Sequence, residues 1–253
     1  MMSSKRGSLT TGALVPKTKI KVTTPFNVVV VPSKVVVSNR PFSYCPNRSL
    51  YSRNERARGA LLTIKSIREH IPNSYIVLID NSELSSNERD MFVRMSDVFF
   101  NSTEDPFLKY HTDDSPYKGG GECLQLMIGI RHILQAKVPC ERIFKLTGRY
   151  TINDTFRFAQ YLGPDNIFKR SDEVKNRAYY FTSFFKIDRA RLGSFYKALK
   201  KVMRAFVAKD FSMFGGWKDF EVLLPIAMGK DFKEVDNLGI TQHLAPSRRR
   251  WDI

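Results

Sequence analysis

Apolar residues along this chain follow two patterns that alternate. Short continuous apolar runs are separated by longer stretches in which apolar positions recur every three or four residues. Residues 75–80 form an apolar run that closes on a polar turn at Asp80, which predicts a strand buried on both faces. Residues 98–101 and 142–146 predict two further short strands, and the aromatic-rich residues 179–187 another. Residues 34–39, a short β-branched run, predict a first strand. Helical spacing predicts helices over 52–70, ended by Pro72, and over 85–95, capped by Ser85 or Ser86. The same spacing predicts helices over 122–135, 189–207 and 219–228, the last interrupted or ended near Pro225. Residues 102–116 are polar and rich in breakers, which predicts a long loop. The order β-α-β-α-β-loop-α-β predicts an αβα sandwich around a mainly parallel, mixed sheet, Rossmann-like in its first half.

Composition narrows the class. At 253 residues, 42% hydrophobic and 26% charged, the chain is neither a fibre, nor wholly disordered, nor a disulfide-framed miniprotein. Charge is the unusual quantity: 41 Lys and Arg against 25 Asp and Glu give a formal +16. Residues 1–24 carry five of those charges without an acid and read as a disordered basic arm. Residues 248–253 add a net two and read as a basic tail. The body between them, residues 25–247, keeps +9, which suits a phosphate-bearing ligand or another polyanion. Cys45, Cys123 and Cys140 lack metal-ligand spacing and predict reduced thiols and a cytoplasmic location. No apolar run reaches the roughly 18 residues of a membrane span, and no secretory signal is visible.

Ligands of such sheets bind beyond the carboxyl ends of the strands, so the informative residues should follow the strands. They are Ser38-Asn39-Arg40, Asp80-Asn81-Ser82 and Thr147-Gly148-Arg149-Tyr150. A carboxylate there can take a ribose hydroxyl or simply cap the next helix, and an arginine can hold a diphosphate through paired N–H groups. Lys118-Gly119-Gly120-Gly121-Glu122 opens a helix; its backbone N–H groups can face an anion, although the motif lacks the ending of a P-loop. Glu221, after Gly215-Gly216-Trp217, can act as a general base or be a solvated helix residue. His243 lies in a polar segment near the end. The chain has no Gly-x-Ser-x-Gly elbow, no dinucleotide fingerprint and no Asp-x-Asp metal pair; Glu104-Asp105 and Asp113-Asp114 are its adjacent acids in the predicted loop.

Taken in order, these segments resemble GT-A-type glycosyltransferases, in particular small ones encoded by large DNA viruses and some microbes. The matching pieces are Arg53-Asn54-Glu55-Arg56 leading to residues 62–68, then residues 76–82, Lys118 to Glu122 and residues 144–150. Phe220-Glu221, Leu238-Gly239-Ile240 and His243 follow, so the likeness covers roughly residues 34–247, and Thr147-Gly148-Arg149-Tyr150 is its most telling part. The resemblance implies a donor half over residues 34–150 that binds a UDP- or GDP-sugar, and an acceptor half over 151–247 that binds a glycan or glycoprotein. It implies donor contacts from Ser38, Arg40, Asp80, Ser82, Lys118, Glu122, Thr147, Gly148 and Tyr150, and acceptor contacts from Trp217 and His243. Glu221 matches the base of inverting members. Thr147-Gly148-Arg149 stands where such enzymes carry Asp-x-Asp, so either Arg149 replaces the divalent cation (manganese or magnesium), or other acids hold it, or the enzyme is impaired. Two other classes stay open from the residues alone: a basic nucleic-acid binder using residues 189–204, and a nucleotidyltransferase, whose glycine-rich loop after the first strand is absent here.

Overall fold

The structure, a computed structural model, describes residues 26–43, 45–171, 179–229, 231–244, 247 and 249–253; the arm expected at 1–24 lies outside them. The elements in chain order begin with β1 (Phe26–Ser33), α1 (Arg53–His70), β2 (Ser74–Asp80), α2 (Ser86–Met95) and β3 (Val98–Asn101). Next come α3 (Pro106–Lys109), a π-helical turn Tyr110–Asp114, α4 (Lys118–Gln135), β4 (Cys140–Leu146) and β5 (Thr151–Ile152). The second half holds β6 (Ile167–Phe168), β7 (Arg170–Ser171), β8 (Tyr179–Tyr180), β9 (Phe184–Asp188), α5 (Leu192–Ala208) and α6 (Phe220–Met228). It ends with β10 (Lys233–Glu234), β11 (Ile240–His243) and β12 (Arg250–Asp252).

Seven strands form one mixed sheet in the order β10-β6-β9-β4-β1-β2-β3. Strand β9 pairs antiparallel with both β4 and β6, and the other pairings of this sheet are parallel. The expected α/β sandwich around a mainly parallel sheet is therefore borne out. The valines of β1 explain why it is central. Val28 and Val30 face α4, α5 and α6 with Val77 and Ile79, while Val29 and Val31 face α1 with Ile76 and Leu78. A strand covered on both faces needs apolar residues at every position, not alternate ones. Ser52 and Ser85 open α1 and α2 with reciprocal capping boxes to Glu55 and Glu88, so those helices start where the sequence predicts.

Several expectations are corrected. The first strand is Phe26–Ser33, not residues 34–39. Pro32 does not forbid it, because pairing with β4 stops at Val30 and the missing N–H breaks no bond on that side. Residues 102–116 are not an open loop: Asp105 caps α3 with Pro106 at its first turn, and the π-helical turn follows. The three glycines lie inside α4, not ahead of it. A Cβ on Gly119 would stand 2.8 Å from Phe206 and Phe220, and one on Gly121 2.9 Å from Thr112. Glycine is needed there for close helix packing. Residues 179–187 divide into β8 and β9, and α6 continues past Pro225 to Met228. The segment read as a basic tail carries β12, which pairs with β11 in a small antiparallel sheet with β5. Among the described residues no helix is long and apolar enough to cross a membrane.

Candidate functional site

Two adjoining cavities lie beyond the carboxyl ends of β1 and β4, and they share Lys118, Glu122, Thr147, Arg149, Tyr150 and Leu244 as a common wall. The smaller, about 150 Å³, is lined by Lys34, Arg48, Arg56, Lys118 and Arg149, with Glu122 as its one carboxylate. The larger, about 340 Å³, is lined by Glu221, Asp219 and Lys218 and by the rings of Tyr117, Tyr179, Tyr180, Phe181 and Trp251. The site thus has a cationic side and an aromatic side on which acids and cations balance. Tyr117 caps α4 without a side-chain hydrogen bond, and Gly119 and Gly121 of its first turn line the cavities. A helix terminus in that position favours an anion.

The turn after β4 fixes Arg149. Gly148 donates its N–H to the Pro32 carbonyl at 2.9 Å, and Arg149 donates its N–H to Thr63 Oγ1 at 2.8 Å. The guanidinium donates to the His243 carbonyl at 3.1 Å and stands near the rings of Tyr51 and Tyr150. Its stem crosses α1 at Gly59, where a Cβ would lie 2.9 Å from Arg149 Cγ. Arg149 has φ +85°, a region that disfavours every residue with a Cβ. Holding arginine there, where glycine would be relaxed, points to a need for its side chain. Arg149→Gly should therefore unfold at higher urea than Arg149→Ala, by roughly 1–3 kcal/mol of stability. Equal midpoints in urea titrations would show that the turn is unstrained.

Burial and charge set the protonation of the wall. Lys145 is fully buried on β4 and donates to the Glu122 carboxylate, to Thr147 Oγ1 at 2.5 Å and to the Thr182 carbonyl. Burial pulls the Lys145 ammonium down, and Glu122 opposes it. Burial alone would raise Glu122, but Lys145 and Lys118 outweigh it and hold the carboxyl below its usual range. Glu221 behaves in the opposite way. Burial raises it, Lys118 at 3.9 Å opposes, and the negative charge of Glu122 adds to the rise. Burial also lowers the Arg149 guanidinium, and burial together with the Arg149 charge lowers Arg56 to about 9. Two carboxyl groups in one site are thus pushed apart, one fixed as a charged partner and the other poised to take a proton.

Of the residues singled out in the sequence, Lys118, Glu122, Thr147, Arg149, Tyr150 and Glu221 come together on the cavity walls, and Gly148 lines the smaller one. Asp80 and Ser82 do not. Asp80 is fully buried and accepts from the Val35 and Ser82 N–H groups, and Ser82 Oγ accepts from the Val36 N–H. They fasten the chain after β1 to the end of β2, which is neither of the roles expected for Asp80. Ser38 lines a neighbouring hollow with Tyr51 and Arg53 that shares Arg48 and Arg56 with the smaller cavity, and Arg40 reaches Asp114 on the surface. Trp217 packs edge-on against Tyr179 behind the cavity. His243 offers its carbonyl to Arg149, while burial and the nearby arginines depress its imidazole. Lys145 escaped the sequence reading. Its signal was a charge inside an apolar strand, between Phe144 and Leu146.

The residues present do not fit a divalent cation. Thr147-Gly148-Arg149 offers one hydroxyl and a positive charge, and the adjoining carboxylate, Glu122, is bound to Lys145. Asp113 and Asp114 pair with Lys34 and Arg40, Asp105 caps α3, and the described residues contain no cluster of three His, Cys, Asp or Glu. Such cations take several oxygen ligands, usually with carboxylates among them.

No family model and no curated protein matches the sequence. Among solved structures, the chain is similar to the glycosyltransferase GlyE of Streptococcus pneumoniae TIGR4, with 11% identity and a TM-score of 0.46 over 84% of this chain. It is also similar to Core-mannan synthase A of Aspergillus fumigatus in its Mn/GDP form, with 10% identity and a TM-score of 0.48 over 88% of this chain. The chain spans 45% of GlyE and 76% of the mannan synthase.

Proposed function

We propose that this chain is a glycosyltransferase of GT-A type, which moves a hexosyl or pentosyl group from a UDP- or GDP-sugar to a hydroxyl of a glycan or glycoprotein in the cytoplasm. The observation that carries the reading is the division of one site into a cationic cavity and an aromatic one of balanced charge that holds Glu221, with a shared wall. The diphosphate lies in the cationic cavity against Arg149, Lys118 and the start of α4. Their positive charges stabilise the leaving nucleoside diphosphate as the glycosidic bond breaks. Thr147 and Tyr150 line the junction, where the donor sugar sits. Aromatic rings in the larger cavity give flat faces for an acceptor sugar, and Glu221 takes the proton of the attacking hydroxyl. The new bond forms on the face opposite the leaving group, so the anomeric configuration inverts.

A thermal-shift screen of UDP- and GDP-sugars tests the donor. A donor at about 100 Kd adds roughly 2.7 kcal/mol. For a chain of this size that is a rise in Tm of about 5–10 °C. The rise should persist in a chelator and vanish in Arg149→Ala. If no sugar nucleotide moves Tm at millimolar concentration, the reading fails.

A further inference from the structure

We infer that the exposed face of α5, with the turn that follows it, is a docking surface for anionic phospholipid, and this holds independently of the sugar-transfer reading. Residues 189–209 contain seven basic residues and no acid. Lys197, Lys200, Lys201 and Arg204 are all exposed. Their spacings of three and four place them on one face, where like charges repel one another. Solvated helix faces ordinarily interleave acids to relieve that repulsion. None of these four forms an ion pair with a described residue. The opposite face is firmly fixed, with Phe195, Leu199, Val202 and Phe206 buried, so the helix cannot turn its cations away.

The second observation is apolar and lies at the same end. Val207 falls on the basic face and is 53% exposed, and Met213, in the turn after α5, is 58% exposed. That turn is held against the helix by the buried rings of Phe211 and Phe214, and the Lys201 ammonium lies 5.8 Å from the Phe214 ring. Apolar side chains among lysines suit a lipid interface. There the cations meet headgroup phosphates while the apolar groups enter the acyl boundary. A nucleic acid would use the charges but gain nothing from Val207 and Met213. Lys218, a few residues beyond Met213 in the chain, lines the larger cavity.

Flotation of the full chain with vesicles tests the inference. Binding is expected to phosphatidylcholine vesicles holding about 30 mol% phosphatidylserine and not to phosphatidylcholine alone. Lys200→Gln with Lys201→Gln should weaken vesicle binding roughly thirty-fold, at about one unit of surface attraction per charge. The variant should change Tm little, because the repulsion it removes between exposed groups offsets the loss of the Lys200–Tyr196 and Lys201–Phe214 ring contacts. Val207→Gln with Met213→Gln, which leaves the charge intact, should weaken vesicle binding several-fold and leave retention on heparin unchanged. Three results would each overturn the inference. These are no preference for anionic vesicles, unaltered vesicle binding in the lysine variant, and equal vesicle binding in wild type and the Val207/Met213 variant. The last would make α5 a general polyanion surface, open to nucleic acid.

Discussion

Lys145→Met will cost the fold about 3–5 kcal/mol, because it leaves the Glu122 carboxylate without its buried partner. Glu122→Leu will cost a similar amount by stranding the Lys145 ammonium. The double variant should lose clearly less than the two singles together, because neither charge is then left unpaired. It will not reach wild-type stability, since the Thr182 carbonyl and the Thr147 hydroxyl also lose the ammonium. Acid titration gives a second readout. The Glu122 carboxyl is held below its usual range in the folded state, so it contributes stability above pH about 4.5 that is lost as the pH falls through its lower folded value. Lys145→Met should therefore flatten the acid limb of stability against pH. Urea denaturation of the four proteins at neutral and acid pH measures both effects. Additive losses would mean that the two side chains do not interact as the geometry requires.

Much of this fold is legible in the pattern of apolar residues, and the parts that are not have physical reasons. The run at 75–80, the helical spacing from 52 and the capping serine at 85 are local signals, and the structure agrees with each. β1 is hard to place because the β-branched run at 34–39 carries the same local signal as the valines at 28–31, and only the pairing with β2 and β4 shows which run is the strand. The glycines at 119–121 read as an anion loop, but their spacing serves the close approach of α4 to Phe206, Phe220 and Thr112. Only the tertiary fold shows those neighbours. Candidate residues fared according to where the backbone turns. Thr147-Gly148-Arg149-Tyr150 follows β4 directly into the cavities, whereas Asp80 and Ser82 follow β2 but are taken up by the chain leaving β1. Trp251 was hidden in a segment read as a tail, because a short edge strand among arginines has no pattern of its own.

Glu221→Gln is expected to lower kcat for sugar transfer by roughly 10²–10⁴-fold, the usual contribution of a positioned general base. Donor binding should be kept or slightly tightened, because the Glu221 charge, 3.9 Å from Lys118, competes with a diphosphate, so the thermal shift with a sugar nucleotide should survive. The stability effect runs against the activity effect. Burial and the charge on Glu122 raise the Glu221 carboxyl from its ordinary 4.5, so the folded state holds its proton more tightly than the unfolded chain does. Ionised Glu221 therefore costs stability at neutral pH, and that cost fades as the pH falls through the raised value toward 4.5. The glutamine variant should melt higher than wild type at pH 7 and converge with it in acid. About a third of the Glu221 side chain reaches solvent, so the gain will be modest. The wild-type rate should rise with pH through that same carboxyl, and the residual rate of the variant should not. A structural role alone would predict a lower Tm and no altered pH profile. Full turnover in Glu221→Gln, or a product with retained anomeric configuration, would remove Glu221 as the base. The cationic cavity would then stand as a nucleotide site whose chemistry lies with other residues.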